Sequence, residues 1–302
     1  MPSSEGAAQP GVWLYVAFTG VVFGAGGLVA KGLIDDGVDA FAATWIPFLI
    51  SGVIALAVAA PRGELTAAAV APGVLLGVSA SAAPALLFNL GFEELSAGIV
   101  TLLISLSPLF TAVVAHFVFA DERFNRVKGG GLALAIVGVA VLAAGSIEGG
   151  GAPGRLALVV AGALAAGSAA VFARRMVLIH GAAALVGPQL LTAGLVALAL
   201  SPVLGRELSP EGGYETWHLV ALAAFGVSSY LGFRSMLIAN EVGTTGQVSV
   251  IGYCIPLFGV IGGIVVFGDE PTISLVIGGV LILVSVWVIA LGSRPQDADA
   301  AA

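Results

Sequence analysis

The sequence predicts an all-α membrane protein with ten transmembrane helices, arranged as two inverted five-helix repeats. Three observations carry this prediction: the apolar composition, the spacing of uncharged stretches and an internal repeat. Of the 302 residues, 59% are hydrophobic and only 10% are charged, and the mean hydropathy is +1.08. An ordinary soluble domain has roughly 25% charged residues. The composition therefore indicates a protein that folds in a lipid bilayer.

Uncharged or nearly uncharged stretches of membrane-spanning length recur along the whole chain. A helix needs about 20 apolar residues to cross a hydrocarbon core of roughly 30 Å. The predicted spans are residues 12–31, 40–60, 70–91, 96–119, 129–147, 155–175, 182–204, 216–240, 244–267 and 272–292. The predicted organisation is an N-terminal tail (1–11), a first repeat (12–150), a second repeat (151–292) and a C-terminal tail (293–302).

The fourth and ninth spans end in related sequences. Residues 107–122 read SPLFTAVVAHFVFADE, and residues 255–270 read IPLFGVIGGIVVFGDE. Aligned without a gap, residues 86–122 and 234–270 share ten identities, among them Glu93 with Glu241 and Pro108 with Pro256. This repeat indicates an internal duplication. A unit with an odd number of spans must enter the membrane from opposite sides in its two copies, so the halves are predicted to be inverted repeats.

The distribution of basic residues predicts the orientation. Membrane proteins carry more Lys and Arg in their cytoplasmic loops than in their external loops. One side of the ten-span arrangement has Arg62, Arg123, Arg126, Lys128, Arg174, Arg175 and Arg294, and the other has Lys31, Arg155 and Arg206. We therefore expect both termini in the cytoplasm of a cell with the protein in its inner membrane.

Several classes of function are disfavoured by composition. The net charge of −7 and the lack of basic clusters argue against nucleic-acid binding. Cys254 is the single cysteine, and the three histidines have no ligand-like spacing, so neither a disulfide nor a metal site is expected. No Walker A motif is present. We expect no cofactor, a small-molecule substrate, contact with the lipid bilayer and no obligatory protein partner.

The chain resembles the drug/metabolite transporter superfamily, specifically its EamA-type branch. The resemblance rests on the five-plus-five arrangement and on a fourth helix in each half that reads Pro-Leu-Phe and stops at Asp-Glu before a Gly-rich fifth helix (VKGGGLALAIVGVAVLA and VIGGVLILVSVWVIA). It implies export of small metabolites. The subgroup we expect is that of the YddG-like aromatic amino-acid exporters.

Repeat-related polar residues suggest where a substrate binds. Ser249 and Tyr253 are four residues apart in the ninth span, and the repeat relates them to Thr101 and Ser105 in the fourth. Residues four apart share a helix face. We predict that these four residues line a central cavity in which the Tyr253 ring stacks on the substrate. Interhelical hydrogen bonding is the alternative.

Prolines and acidic residues mark candidate gates and helix ends. Pro108 and Pro256 are expected to bend their spans, either as structural kinks or as gating hinges. His116 is either a hydrogen-bonded interior side chain or a proton carrier. The pairs Asp121–Glu122 and Asp269–Glu270, the second followed by a proline, are expected to cap the next helix.

Two polar residues lie within otherwise apolar spans. Arg234 lies about six residues from the predicted end of span eight, where a charge must snorkel, pair or face water. We predict that it either snorkels or contacts the substrate. Asn89, near the end of span three, is predicted to contact the substrate or to form a cap or interhelical hydrogen bond.

The function predicted from these residues is secondary transport. We expect export of small amphipathic metabolites, amino acids including aromatic ones, by alternating access. Acidic residues are few within the spans, which favours facilitated or weakly coupled transport. The alternatives are another metabolite class (a nucleoside, a sugar-linked compound or a drug-like cation), a channel, or an intramembrane enzyme.

The predicted topology can be tested with reporter fusions. Fusions after Gly151 and after Gly205 should report the external side, because these positions follow an odd number of predicted spans. Fusions at Asn125 and after Arg294 should report the cytoplasm. An external C-terminus would contradict the ten-span prediction.

Overall fold

The computed structural model describes residues 11–118, 125–148, 153–210, 212–243, 247–248 and 251–292. Within these ranges the chain is helical and contains no strand. The helices are α1 (Val12–Asp35), α2 (Ala42–Ala59), α3 (Ala67–Leu76), α4 (Ala83–Phe92), α5 (Ala97–Ile104), α6 (Ser107–Val118), α7 (Arg126–Glu148), α8 (Pro153–His180), α9 (Ala182–Val203), α10 (Thr216–Val242), α11 (Ile251–Gly262) and α12 (Ile273–Gly292). A π-helical turn (Gly77–Ala82) joins α3 to α4, and another (Gly263–Phe267) follows α11.

Most of the described helices have the length and apolar composition of membrane-spanning helices. Eight segments of the described chain are long and apolar enough to cross a membrane. They are Val12–Asp35, Ala42–Arg62, Ala67–Phe92, Ala97–Val118, Arg126–Ser146, Pro153–His180, Ala182–Val203 and Thr216–Val242. Two shorter apolar helices, Cys254–Phe267 and Ile273–Ile289, lie in the predicted ninth and tenth spans. The all-helical class is confirmed, whereas ten crossings and the inverted arrangement remain predictions.

Polar side chains define several helix starts. Ser96 Oγ accepts the amide hydrogen of Ile99 at the start of α5 (3.3 Å), as an N-cap does. Helix α12 begins at Ile273 rather than directly after Asp269–Glu270, and Thr272 Oγ1 accepts the amide hydrogen of Leu275 (3.2 Å). The prediction that Asp269 or Glu270 caps this helix is therefore wrong, because Thr272, which directly precedes the helix, is the cap. Asp121 and Glu122 lie outside the described residues.

Glycines bring α2 and α9 into backbone contact. A Cβ atom added to Gly52 would lie 2.5 Å from the amide nitrogen of Leu191, and one added to Gly194 would lie 2.7 Å from that of Leu49. In each helix the glycine follows the contacted leucine by three positions. The contact is thus reciprocal, as expected if the two helices are repeat-related.

The helices α7 and α12 have the same kind of interface. A Cβ atom on Gly138 would meet the carbonyl oxygen of Gly278 at 3.1 Å, and one on Gly278 would meet that of Gly138 at 3.0 Å. Glycine lets helix backbones approach closely where lipid provides no hydrophobic drive for association. Gly138 and Gly278 therefore permit the close packing of α7 on α12.

The first helix of each half donates to the end of its third span. Lys31 Nζ, near the end of α1, lies 3.1 Å from the carbonyl oxygen of Phe92, the last residue of α4. Arg174 Nη2, near the end of α8, lies 3.1 Å from the carbonyl oxygen of Gly243, just after α10. Cations stabilise the negative end of a helix dipole and satisfy its unpaired carbonyls. The two halves therefore share this contact.

Substitution of Gly52 should test the close helix contact. Gly52→Ala places a methyl group against the Leu191 backbone, so we expect it to destabilise the protein by about 1–3 kcal/mol. Gly130→Ala on α7 is the matched control, because a Cβ there meets nothing within 4 Å. Thermal unfolding in detergent should show a lower Tm for the first variant and an unchanged or higher Tm for the second. Equal Tm values would contradict the packing described.

Candidate functional site

Arg234 lies on α10, within the predicted eighth span and one turn after the buried Tyr230. Arg234 Nη1 donates to the hydroxyl oxygen of Tyr230 (2.7 Å), one turn earlier on the same helix. In the described part of the chain, no carboxylate lies within ion-pair distance of Arg234. A guanidinium carries five N–H donors. Arg234 therefore has donors available for an anionic group.

Phe233, the residue before Arg234, forms a cluster with two other phenylalanine rings. Phe233, which precedes Arg234, has its ring centroid 5.0 Å from that of Phe23 on α1. It also contacts Phe48 on α2 edge-on, at 5.7 Å. Aromatic rings in such tilted contacts present both faces and edges to a further ring. The region thus combines an available cation with apolar, aromatic surface.

Two hydrogen-bonded pairs join helices in the interior. Asn89 Nδ2 donates to Thr44 Oγ1 (2.8 Å), and both residues are buried. Gln189 Nε2 on α9 donates to Ser81 Oγ (2.9 Å), in the π-helical turn before α4. The predicted interhelical hydrogen bond of Asn89 is therefore present, and its contact with a substrate stays a prediction.

Some interior polar atoms have no partner among the described residues. They are Gln189 Oε1, Thr19 Oγ1 and Trp45 Nε1. An unpartnered polar atom buried in an apolar environment is costly. Such atoms are suited to accept or donate hydrogen bonds when a polar ligand or water enters the bundle.

The structure places two of the four predicted cavity residues at a helix crossing. Thr101 Oγ1 donates to the carbonyl oxygen of Ala97 (2.8 Å), and Ser105 Oγ to that of Leu102 (2.6 Å). Both side chains are buried, with 1% exposure each. Thr101 also packs against Gly259 of α11. In this conformation the two hydroxyls are therefore packed between helices and satisfied by their own helix.

The other two residues of that predicted group are Ser249 and Tyr253 of the ninth span. Ser249 lies outside the described residues, and so does the side chain of Tyr253. The shared cavity face formed by these residues with Thr101 and Ser105 stays a prediction.

The two proline-containing spans meet. The fourth span is interrupted at Ser105–Leu106, so α6 begins at Ser107 with Pro108 in its first turn. Pro256 lies within the continuous helix α11. A Cβ atom on Gly252 would lie 3.0 Å from Pro108 Cγ. The predicted kink at Pro108 thus takes the form of a helix break, and gating by either proline stays a prediction.

His116 lies in the last turn of α6. Its ring contacts that of Phe117 edge-on, with centroids 5.0 Å apart, and its side chain is half-buried. Its role as a proton carrier stays a prediction.

Four ion pairs join the two halves at one end of the bundle. Arg155 contacts Glu93 (2.7 Å) and Glu94 (2.8 Å), while Arg206 contacts Glu93 (2.8 Å) and Asp39 (3.3 Å). The guanidinium of Arg206 also lies 5.5 Å from the ring centroid of Phe41, a cation–π distance. Glu93 therefore bridges two arginines, one on α8 and one in the loop after α9.

A histidine extends this group of contacts. His218 Nδ1 accepts the amide hydrogen of Glu215 (3.1 Å), so the neutral ring has its hydrogen on Nε2. His218 Nε2 then donates to Asp36 Oδ2 (2.9 Å). We call the residues that join the halves in this way the inter-half cluster and the end of the bundle that contains it the ion-paired end. The inter-half cluster consists of Asp36, Asp39, Glu93, Glu94, Arg155, Arg206 and His218.

The environment of Arg206 keeps it charged. Desolvation lowers the pKa of Arg206, but the hydrogen bond and charge of Glu93 together with Asp39 outweigh it, so the net shift is upward. A folded-state pKa above the ordinary value means that this stabilisation persists throughout the physiological pH range. It is lost only as the pH rises through the raised pKa.

Sequence reasoning missed the inter-half cluster. Arg155 and Arg206 enter the sequence analysis as loop charges, and Glu93 enters it as the repeat counterpart of Glu241 and, with Glu241, as an acid at a span end that could carry a proton. One signal was available: at this end of the predicted bundle, the loops of the first half are rich in acids and those of the second half carry the arginines. The second-half loops also carry acids, including Glu207, Glu211 and Glu215, so the pairing of these arginines with first-half carboxylates is visible only in the tertiary structure.

A separate cavity of about 240 Å³ lies at the ion-paired end, between the starts of α5 and α12 and the end of α7. Its lining includes Glu94, Ser146, Asp269 and Glu270. Asp269 Oδ2 is buried without a partner among the described residues. These carboxylates disfavour an anionic ligand, so the region around Arg234 is the better candidate for binding one.

Comparison with known proteins places the chain in a family. The EamA-like transporter family matches residues 11–144 and, again, residues 155–291. An uncharacterized transporter from Archaeoglobus fulgidus is 25% identical over 206 residues, which are 67% of this chain and 70% of that protein. One solved crystal structure is similar with a TM-score of 0.69 over 96% of this chain and 99% of the other, at 19% identity, and shows the fold alone. This chain belongs to the EamA-like transporter family and is a multi-pass membrane protein.

Proposed function

We propose that the protein is a secondary transporter that exports small amphipathic metabolites, namely amino acids including aromatic ones. Its two inverted five-helix repeats expose a central site alternately to each side of the inner membrane, and both termini are cytoplasmic. This arrangement would place it near the YddG-like aromatic exporters. The amino-acid specificity rests on one observation, the environment of Arg234.

Arg234 and its neighbours have the chemistry that such a substrate needs. A carboxylate can accept hydrogen bonds from the guanidinium donors that Tyr230 leaves available. The contacts among Phe23, Phe48 and Phe233 supply apolar and aromatic surface for a side chain. A cationic drug-like substrate would be repelled by Arg234, which makes that alternative less favourable.

Substitution of Arg234 tests this assignment in proteoliposomes. Arg234→Ala should raise the KM for an aromatic amino acid by roughly tenfold to a hundredfold, because a charge-assisted hydrogen bond is lost. The KM for the matching amide, which lacks the carboxylate, should change little. Arg234→Lys should be intermediate, because it retains the charge without the planar fork.

Tyr230→Phe is the matched control. It retains the guanidinium and removes only the hydroxyl to which Arg234 donates. We expect its KM for the amino acid to change far less than that of Arg234→Ala. Equal losses for the amino acid and the amide in Arg234→Ala would assign Arg234 to structure instead.

Counterflow separates a carrier from a channel. Vesicles loaded with unlabelled substrate should transiently accumulate labelled substrate if one site faces the two sides in turn. Linear, non-saturating flux without counterflow would favour a channel. Transport of a nucleoside or a sugar-linked compound in place of amino acids would overturn the substrate class.

A further inference from the structure

The charges of the inter-half cluster are segregated by repeat. Its four carboxylates, Asp36, Asp39, Glu93 and Glu94, all belong to the first half. Its three bases, Arg155, Arg206 and His218, all belong to the second half. Every contact within the cluster therefore pulls one half of the protein toward the other.

The cluster is strong enough to resist separation. The side chains of Glu93 and Asp39 are 18% and 15% exposed, and those of Arg155 and Arg206 are 21% and 29% exposed. An isolated surface ion pair contributes little, but partly buried charges that form a network are screened less by water and salt. Separating the halves here would break several charge-assisted hydrogen bonds at once, and the hydration that the charges regain would offset only part of that loss.

An apolar layer lies directly beneath these charges. Phe41, which contacts Arg206, packs with Leu86 and Ala197, and all three are buried, with 3%, 6% and 0% exposure. The buried Thr44–Asn89 pair lies at a similar depth, since Thr44 follows Phe41 by three residues and Asn89 follows Leu86 by three. Charges and apolar layer together close the interior of the bundle from the ion-paired end.

The opposite end carries contacts of another kind. Glu241, the repeat counterpart of Glu93, has its Oε2 3.3 Å from the amide nitrogen of Ala182. Arg174 donates to the carbonyl oxygen of Gly243. Both of these contacts lie within the second half.

In the first half, the position equivalent to Arg206 is occupied by an acid, Glu64. Gly63 and Gly205 both have left-handed backbone angles (φ 66°) at the ends of their spans. The residue after each donates its amide hydrogen five residues back, Glu64 to Ala59 (3.2 Å) and Arg206 to Ser201 (2.8 Å). The two turns are thus equivalent, and an acid occupies the place of the base. Glu64 and Glu241 cannot form the ion pair that Arg206 and Glu93 form.

We propose that the inter-half cluster is a latch that holds the ion-paired end shut. Among the described residues, the equivalent positions at the opposite end, Glu64 and Glu241, are both acids and do not form such a pair, so the two ends of this duplicated protein have different gates. This inference rests on the proposed alternating access. Weakening the latch should raise the population of molecules that are open at the ion-paired end.

Cysteine accessibility tests the latch without any substrate. In a Cys254→Ala background, Leu86→Cys places a reporter beneath the cluster, and a membrane-impermeant maleimide is applied from the ion-paired end. Glu93→Gln and Arg206→Gln should each raise the labelling rate by about tenfold, because part of the network is lost. Glu207→Gln, at an exposed acid next to Arg206, is the matched control and should leave the rate unchanged.

A second reporter distinguishes gating from general loosening. Ala135→Cys lies in the α7 core, with 1% exposure. Its labelling should stay slow in Glu93→Gln and Arg206→Gln. An unchanged rate at Leu86→Cys in both variants, or an equal rise at both reporters, would overturn the proposal.

Cross-linking provides the reverse test. Asp39→Cys and Arg206→Cys, joined in the same background by a short bis-methanethiosulfonate reagent that forms a disulfide with each thiol, should abolish substrate counterflow, and a reducing agent that cleaves both disulfides should restore it. Counterflow at the unlinked rate after cross-linking would contradict the latch. A wild-type protein without amino-acid counterflow would contradict the proposed substrate, whereas the labelling result would still decide the latch.

Discussion

Close backbone contact between helices is the constraint on which this structure depends. In lipid, each helix satisfies its own backbone hydrogen bonds, and apolar side chains gain nothing by leaving lipid for a neighbouring helix. Association must therefore come from van der Waals contact over short interhelical distances. Gly52 with Gly194 and Gly138 with Gly278 provide such contacts between repeat-related helices. The scaffold that they form determines where the polar side chains lie.

Most charged residues lie where placing a charge costs little free energy. The acids and most of the bases lie at helix ends, where water, helix termini or opposite charges stabilise them. Lys31 and Arg174 bond to terminal carbonyls, and Arg155 and Arg206 bond to carboxylates. Arg234 departs from this distribution because it lies inside a span beside Tyr230. The proposed function assigns this charge to substrate binding, because a charge inside a span is costly to retain.

Departures from the repeat carry as much information as the repeat. Corresponding helices of the two halves repeat their glycine contacts and their terminal basic residues. Glu93 has an acidic counterpart in Glu241, but Arg206 stands where the first half has Glu64. The equivalent turn of the first half thus carries an acid, which cannot form the ion pair that Arg206 forms with Glu93. A transporter with similar halves can acquire unequal gates in this way.

The sequence by itself determined the membrane environment, the positions of the helices, the internal duplication and the interior placement of Arg234 and Asn89. These features depend on the length of apolar stretches and on residue identities at fixed spacing, which can be read directly from the sequence. Only the tertiary structure decided the break before Pro108, the Thr272 cap, the packing of Thr101 against Gly259 and the inter-half cluster. Each depends on which distant residues meet or on where a helix starts. Glu93 and Arg206 are far apart in the chain, and only the packing of the two halves brings their charges within 2.8 Å.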